Sequence, residues 1–447
     1  MPERLFGLVE REVARAGGGD AELCVRRARE RRFDARNGGI DALSFSDSVA
    51  LGVRVFRDGR MGYSYGFSDD VDSVRRMVET AVFCARGSDP DPAHGLPGSA
   101  EGAAPATDAA LYDPGCESAD DDAKARFARE LEARTVAFDP RMKRVRSATV
   151  QETVAETAVL SSSGVRASGR ESAYLAFVDS VAEEGTEGAT GHGFAFARRF
   201  SELDPGTVAA EGARRAVRML GAGPLRTGRY AAVLENEAAA ELLEVLVPSF
   251  LASQVFKGKS MLAGRLGQAV ASKAVEIVDD PLCAQGSGAA AFDGEGAPSR
   301  RNVLVENGGL RMFLADSFWG RKLGTGSTAS CRRRGPKEPP TVGIGNLRIA
   351  PGRRDVPGLL REVGSGILLT EFLGIHTADP VSGDFSVGAA GIRFDGGEER
   401  EPVRGFAVSG NVLALLARVA EAGSDFRWFG NVGSPSLAIP AMDVGGS

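Results

Sequence analysis

The sequence predicts an α+β protein, in which an N-terminal α+β region is followed by a β-rich C-terminal domain with a curled antiparallel or mixed sheet. Two observations lead to this prediction. In the first half of the chain, apolar residues at helical spacing alternate with extended runs rich in Val and Thr. The second half is rich in Gly and has repeated hairpin turns with few long helical patterns.

Length and charge set the class of protein. The chain has 447 residues, 26% of them charged, and a net charge of -6, which suits two or three domains with buried cores. Scattered Lys and Arg argue against a nucleic-acid partner, because binding to a nucleic-acid backbone needs a basic stripe. No apolar run is long enough for a membrane span, and the five cysteines are widely spaced. We therefore expect a cytoplasmic protein without a membrane partner.

The first predicted unit is an α+β domain over residues 1–90. It begins with a helix that ends at Gly17, where three consecutive glycines stop the apolar stripe. The pair Asp58-Gly59 between two extended runs predicts a two-residue hairpin turn, because both positions favour positive φ. Ser68 is predicted to cap the helix that follows and runs to Gly87.

A change in composition separates the first domain from the second. Residues 91–115 are dominated by Pro, Gly, Ala, Ser and Asp, which predicts a linker or surface loop. A central α+β domain is expected over residues 116–222. It combines a charged helix, two long strands over 143–160 and 166–179, and a closing helix.

The β-rich domain is predicted over residues 226–447. Hairpin turns are expected at Asn307-Gly308-Gly309 and Asp395-Gly396-Gly397, because Gly and Asn accept positive φ. A helix is predicted over residues 411–422. The many glycines favour tight turns between strands, although they would also permit the close approach of an extended peptide.

This last domain starts with a strand that leads directly into a helix, Tyr230 to Leu251. The helical spacing places Glu237, Glu241 and Glu244 on one face, and Pro248 is expected to break the helix. A row of three acids predicts a solvated helical face. Metal binding or acid and base catalysis by the same carboxylates remains the alternative reading.

The histidines show no spacing typical of a metal site. His94, His192 and His376 are isolated in the sequence, and none belongs to a helical pair that would hold zinc. They are therefore predicted to be surface or structural residues. Glu371 and Asp379 flank His376 and would be able to share a metal with it, but a solvated loop is the favoured interpretation.

Several short motifs occur in order along the chain. They include Leu51-Gly52-Val53-Arg54-Val55, Asp279-Asp280-Pro281, Phe292-Asp293-Gly294-Glu295-Gly296, Asp316-Ser317, Ser382-Gly383-Asp384-Phe385-Ser386 and Gly433-Ser434-Pro435. In these motifs the chain resembles the TldD/PmbA family. That resemblance implies an N-terminal α+β region, a β-rich C-terminal domain and dimerisation around a cavity that accommodates peptides. Glu371, His376, Asp384 and Ser386 are candidate residues of the cavity lining.

The resemblance also determines what is expected of the helix after Tyr230. In the TldD branch, a His-Glu-x-x-x-His sequence holds zinc and a later cysteine adds a ligand. Those three positions fall here on Glu244, Val245 and Ser249, and no cysteine follows Cys331. The chain thus resembles the PmbA (TldE) branch, which lacks the zinc motif. No catalytic residue, metal ligand or cofactor is expected in it, and zinc is expected only in a TldD-like partner.

Three functions follow as hypotheses. The resemblance implies a subunit that, with a TldD-like partner, degrades unfolded or small peptides in the cytoplasm and trims peptide precursors. The alternative is a homodimeric peptide-binding or assembly protein without a catalytic partner. A third and disfavoured reading is a hydrolase that uses Glu244, Glu371, Asp384 or His376 with another metal.

Overall fold

The computed structural model describes residues 2–98, 110–118 and 120–446, so part of the predicted linker, residues 99–109, lies outside the described residues. It confirms the α+β class and the β-rich second half. Across these described stretches, no helix combines the length and the apolar content that a bilayer span requires. The helices are α1 (Pro2–Arg15), α2 (Val71–Gly87), α3 (Asp121–Ala137), α4 (Pro205–Arg218), α5 (Asn236–Leu246), α6 (Ala252–Phe256), α7 (Ser317–Leu323), α8 (Val356–Val363) and α9 (Val412–Leu416).

The strands form two large sheets, a small one and a barrel. They are β1 (Asp20–Arg36), β2 (Gly39–Arg57), β3 (Arg60–Gly66), β4 (Met142–Ser161), β5 (Arg166–Glu184), β6 (Glu187–Ala197), β7 (Gly228–Leu234), β8 (Ile277–Asp279), β9 (Asn302–Glu306), β10 (Gly309–Leu310), β11 (Cys331–Arg332), β12 (Thr341–Val342), β13 (Leu347–Ile349), β14 (Ser365–Leu373), β15 (Asp384–Asp395), β16 (Glu398–Asn411), β17 (Glu421–Ala422), β18 (Arg427–Phe429), β19 (Val432–Ser434) and β20 (Leu437–Gly445).

One antiparallel sheet contains strands from both sides of the predicted linker. Its order is β3-β2-β1-β4-β5-β6, with β1 pairing β2 on one edge and β4 on the other. Apolar residues of α1 and α2 pack on its first strands, and those of α3 and α4 pack near β4, β5 and β6. The two N-terminal regions are therefore joined through backbone hydrogen bonds.

Local turn chemistry shapes the start of this sheet. Asp58 and Gly59 connect β2 to β3 with φ of 51° and 70°, as the predicted hairpin turn requires. The predicted cap at Ser68 is wrong. Asp70 caps α2 instead, and its Oδ1 accepts a hydrogen bond from the Ser73 backbone N–H at 2.8 Å. The Ser68 hydroxyl donates a hydrogen bond to the Asp70 carboxylate and so helps to orient the capping side chain.

The C-terminal domain holds the barrel and the second large sheet. Strands β16, β15, β14, β7 and β20 pair in that order, and pairing of β16 with β20 closes the barrel. The other sheet has the order β10-β9-β8-β13-β19-β18. Helix α5 packs against β14 of the barrel and β19 of the sheet, and its apolar face belongs to the largest core.

The helix predicted over residues 411–422 is shorter in the structure. Only α9 is helical, and Leu413 is partly exposed whereas Leu415 is buried. The chain then leaves the helix because the Ala420 N–H donates to Ala438 O, and β17 pairs with β20. Tertiary strand pairing thus overrides a helical pattern at this point.

Gly62 is expected to be essential for the packing of α2 on β3. A Cβ at this position would lie 1.8 Å from Ala81 O and 2.4 Å from Ala85 N, and both contacts are with helix backbone. Gly62→Ala should therefore lower the free energy of unfolding by about 1–3 kcal/mol, measured by urea denaturation. Gly87→Ala is the control because its Cβ meets nothing within 4 Å. Equal stability of the two variants would contradict this account.

Candidate functional site

The stretch that carries the candidate site runs from β7 through α5 into a turn. Leu242, Leu243 and Leu246 of α5 are fully buried, and they fix the rotation of the helix against the core. After Leu246 the backbone tightens into a 3-10 helix over Val247–Phe250, with a proline in its first turn. The break expected at Pro248 is therefore present.

The three positions that match the zinc motif have different surroundings. Glu244 is exposed, and reduced hydration raises the pKa of its carboxyl. Val245 is partly buried and packs against the main C-terminal core. Ser249 is fully buried, and its Oγ accepts a hydrogen bond of 3.3 Å from the Met261 N–H.

These three side chains do not fit a zinc ion. Val245 has no donor atom, and the Ser249 hydroxyl is occupied by a backbone hydrogen bond inside the core. Over the described residues, no three His, Cys, Asp or Glu side chains are grouped so that they would hold a metal ion. Glu371, His376 and Asp379 are accordingly not brought together as a ligand set. The helix break is therefore present, but Val245 and Ser249 do not offer donor atoms suited to zinc.

The acids of α5 are not a simple solvated row, as the sequence suggested. Glu237 and Glu241 are partly buried, and only Glu244 is exposed. The first two face a cavity of 90 Å³ between the central region and the C-terminal domain. That cavity is lined by Thr190, Gly191, His192, Arg215, Arg218, Met219, Glu235, Glu237, Glu241, Thr370 and Glu371.

His192 links the two sides of this cavity, a role that its isolated position in the sequence does not indicate. Its Nε2 lies 2.9 Å from Glu237 Oε1 and 2.8 Å from Arg215 Nη1. A protonated nitrogen would donate to the carboxylate, and an unprotonated one would accept from the guanidinium. Which of the two partners His192 bonds therefore depends on whether Nε2 carries the ring proton. Arg215 also contacts Glu237 directly.

Glu241 is the carboxyl group with the most perturbed environment in the cavity. Burial is the largest cause and, together with the negative charges of Glu237, Glu371 and Glu244, it raises the pKa of Glu241 to about 7. Its Oε2 atom is buried without a hydrogen-bond partner. A group that changes its charge near neutral pH is thus placed beside His192 in the same cavity.

The other predicted cavity-lining residues are distributed differently. Glu371 lines the cavity from an exposed position, and reduced hydration is the main reason that its pKa is raised. His376, Asp384 and Ser386 are exposed. Asp384 accepts a hydrogen bond of 2.9 Å from the Asn411 side-chain amide, next to the turn before β15. Of the four candidates, only Glu371 joins the acids of α5.

A second cluster of charged residues lies between the N-terminal sheet and the C-terminal domain, with Glu22, Arg54 and Glu295 buried and Arg333 partly buried. Arg54 Nε donates to Glu22 Oε1 at 2.9 Å, and its Nη1 lies 3.3 Å from Glu295 Oε1. Arg333 also contacts Glu22. Burial favours the neutral form of Glu22, but the charges of Arg54 and Arg333 outweigh it and lower the pKa. Ser317 donates to Glu295 through its backbone N–H and its hydroxyl.

Three of the motifs that carried the family resemblance, residues 51–55, 292–296 and 316–317, contribute to this cluster or lie beside it. Burial, followed by the charge of Glu295, raises the pKa of Asp293 to about 7 and that of Asp316 to about 6. Burial likewise raises the pKa of the Cys331 thiol. The sequence analysis missed this cluster, and the feature that would have indicated it is a charged residue, Arg54, inside the apolar residues 51–56. Of the motif acids, Glu295 contacts Arg54 of the N-terminal sheet, whereas Asp293 and Asp316 accept hydrogen bonds from backbone N–H groups within the C-terminal domain.

Comparison with known proteins agrees with this architecture. Three sequence profiles match in order, namely PmbA/TldA metallopeptidase domain 1 over residues 21–85, the central domain over 114–220 and the C-terminal domain over 227–446. The Metalloprotease PmbA of Escherichia coli O157:H7 is 26% identical over 436 residues, covering 97% of this chain and 94% of that protein.

Two further relatives extend the comparison. A Metalloprotease TldD homolog of Buchnera aphidicola subsp. Acyrthosiphon pisum is 25% identical over 206 residues, covering 43% of this chain and 42% of that protein. The crystal structure of TldE from Thermococcus kodakarensis has a TM-score of 0.90 at 22% identity, covering 99% of this chain and 100% of that one. The fold and profiles define a metalloprotease-like protein. The chain belongs to the PmbA/TldD family.

Loss of Arg54 should destabilise the joint between the domains. Arg54→Met leaves Glu22 and Glu295 buried without their shared partner, so the free energy of unfolding should fall by about 3–5 kcal/mol in chemical denaturation. Arg393→Met removes an exposed ion pair with Glu401 and should cost less than about 1 kcal/mol. A loss for Arg54→Met no larger than that of the control would argue against a structural role for the cluster.

Glu241 should make stability depend on pH. Because its pKa is raised above the unfolded value of 4.5, its ionisation opposes folding, and stability is lost as pH rises through about 7. Glu241→Gln should therefore gain about 1–2 kcal/mol relative to the wild type between pH 5 and pH 8, a value reduced for partial solvent screening. The measurement is urea denaturation at both pH values. A difference that does not change with pH would contradict the assignment.

Proposed function

We propose that this chain is the non-catalytic, PmbA (TldE)-type subunit of a cytoplasmic metalloprotease. In this proposal a TldD-like subunit supplies the zinc, and the two chains together enclose the chamber in which unfolded or small peptides are cleaved and peptide precursors are trimmed. This chain contributes part of the wall of the chamber and part of the surface that contacts the peptide. It binds no cofactor of its own.

One observation carries the proposal. The positions that match the zinc motif are Glu244, Val245 and Ser249, and they include an apolar side chain in the core and a buried, hydrogen-bonded serine. The broken helix that would present ligands is nevertheless retained. A retained scaffold with unsuitable donors is what a subunit would have if its partner performs the metal chemistry.

The acidic cavity supports a role in lining a chamber. Glu241 and Glu371 belong to one cavity with His192 and Arg215, directly beside the helix that carries the unsuited zinc positions. Charged groups of both signs in one cleft would orient a polar chain such as a peptide through its termini or side chains. The three domain matches and the PmbA and TldE relatives give the class of protein on which the proposal builds.

The purified chain is expected to carry close to no zinc per molecule and to leave an unstructured peptide uncut. The reason is that Val245 has no donor atom and Ser249 is buried and hydrogen-bonded, which leaves the carboxylate of Glu244 without further ligands for zinc at these positions. Elemental mass spectrometry gives the metal ratio, and a fluorescent peptide assay with and without chelator gives the activity. Chelator-sensitive cleavage by this chain alone would refute the proposal.

Co-expression supplies the complementary measurement. With a relative that has the His-Glu-x-x-x-His sequence, a stable heteromer should form and cleave the peptide in a chelator-sensitive way. The matched control is the same relative with its motif Glu changed to Gln, which should still assemble but lose cleavage, because the activating base is absent. Failure of any heteromer to form would favour a protein that acts without a catalytic partner.

A further inference from the structure

The segment that follows the broken helix is basic and contains no acid. Between Glu244 and Glu276 the sequence has four cations and no Asp or Glu, although the whole chain has a net charge of -6. We call residues 257–273 the basic segment. Its four cations are exposed, namely Lys257, Lys259, Arg265 and Lys273. Among the residues that the structure describes, none of the four forms an ion pair. The basic segment therefore presents uncompensated positive charge to solvent.

Hydrogen bonds attach the basic segment to the candidate site. The Ser260 hydroxyl donates to Ser249 O at 2.7 Å, and the Met261 N–H donates to Ser249 Oγ at 3.3 Å. Ser249 is one of the three positions that match the zinc motif, and Lys259 directly precedes Ser260 in the chain. The positive charge thus begins beside the helix break.

Aromatic rings lie among the first cations of this segment. Phe256 is 50% exposed, and its ring centroid lies 5.7 Å from that of Trp319 on α7. Lys257 Nζ lies 5.5 Å from the centroid of the Trp319 ring, and Lys322 Nζ lies 5.3 Å from that of Phe256. Lys322 also pairs with Asp91, whereas Lys257 has no acidic partner. A ligand at this surface would therefore meet apolar area as well as positive charge.

Two acids of a neighbouring turn approach the basic segment. A Cβ on Gly383 would lie 3.1 Å from the Met261 sulfur, so the turn that carries Asp379 and Asp384 is adjacent. Asp379 accepts a hydrogen bond from the Ser382 hydroxyl, and Asp384 accepts one from the Asn411 side-chain amide. Over the described part of the chain, neither acid forms an ion pair with a cation of the segment. The turn therefore does not neutralise these cations by direct contact.

We propose that the basic segment, together with the rings of Phe256 and Trp319, binds acidic stretches of the peptide and makes the chamber selective for negatively charged substrates. The inference rests on the proposed function, which supplies the unfolded peptide. Unpaired Lys and Arg attract carboxylates over a distance, and such complementarity affects selectivity and the rate of association more than final affinity. A peptide is favoured over other anions because the segment is bonded to the site at which the proposed function places the peptide.

Binding of labelled peptides to the purified chain tests the inference. Two unstructured peptides of equal length differ only in carrying Glu or Lys at the same positions. In fluorescence anisotropy at low salt, the Glu peptide should bind at least about tenfold more tightly than the Lys peptide. Added salt should remove most of that difference, because exposed charges are screened. Equal binding of the two peptides, or a preference that salt does not reduce, would overturn the inference.

A charge-reversal variant locates the binding surface. It changes three cations of the basic segment and should abolish the preference for the Glu peptide: Lys257→Glu, Lys259→Glu and Arg265→Glu. The control has the same net charge and should keep the preference, because it changes three exposed arginines on α1 and α3 that lack an ion pair among the described residues: Arg4→Glu, Arg11→Glu and Arg129→Glu. An equal loss in both variants would show that net charge alone decides binding and would refute the inference.

Further probes separate the inference from other ligands and from the proposed function. Binding of DNA, or of vesicles that contain anionic lipid, at least as tight as that of the Glu peptide would overturn it. A heteromer with a TldD-like chain that cleaves the Glu and Lys peptides at equal rates would contradict the selectivity and leave the proposed function intact. Selective binding by this chain, with a heteromer that cleaves neither peptide, would instead refute the proposed function and support the binding surface.

Discussion

The joint between the N-terminal sheet and the C-terminal domain depends on one buried guanidinium, that of Arg54. It is shared by Glu22 from the neighbouring strand and Glu295 from the C-terminal domain, and Arg333 of the C-terminal domain also contacts Glu22. Buried charges are tolerated only when each finds its partners, so the relative position of the two domains is defined closely. The cavity beside α5 lies between those domains, so its shape depends on their relative position.

At the candidate site the frame of the broken helix is present, although residues 244, 245 and 249 are not those of the zinc motif. The helix break at Pro248 depends on backbone geometry, and the apolar residues of α5 are held by the core. Val245 and Ser249 contribute to that packing or to its hydrogen bonds. The side chains at these positions are therefore integrated into the core. The backbone forms the helix break, whereas the side chains decide which ligands the segment offers. The fold of this segment therefore does not by itself determine its chemistry.

Local patterns in the sequence predicted the elements that local chemistry decides. Asp58-Gly59 and the turn before β16 follow from positive φ, and the break at Pro248 follows from a missing N–H. Two other predictions were wrong because a competing interaction was more favourable. Asp70 caps α2 in place of Ser68, and the pairing of β17 with β20 ends the helix at α9 early. The roles of His192 and Glu22 could not be predicted, because their partners are distant in the sequence.

The sheet that joins the two N-terminal regions also affects how the chain acquires its structure. Strand β1 needs β2, which follows at once, and β4, which ends only at Ser161. During synthesis the first hairpin can form early, but one edge of β1 must wait until β4 has left the ribosome. The nascent chain thus passes through a stage with an open strand edge. At that stage the unpaired backbone groups of β1 are accessible, and they are the feature that a chaperone would shield.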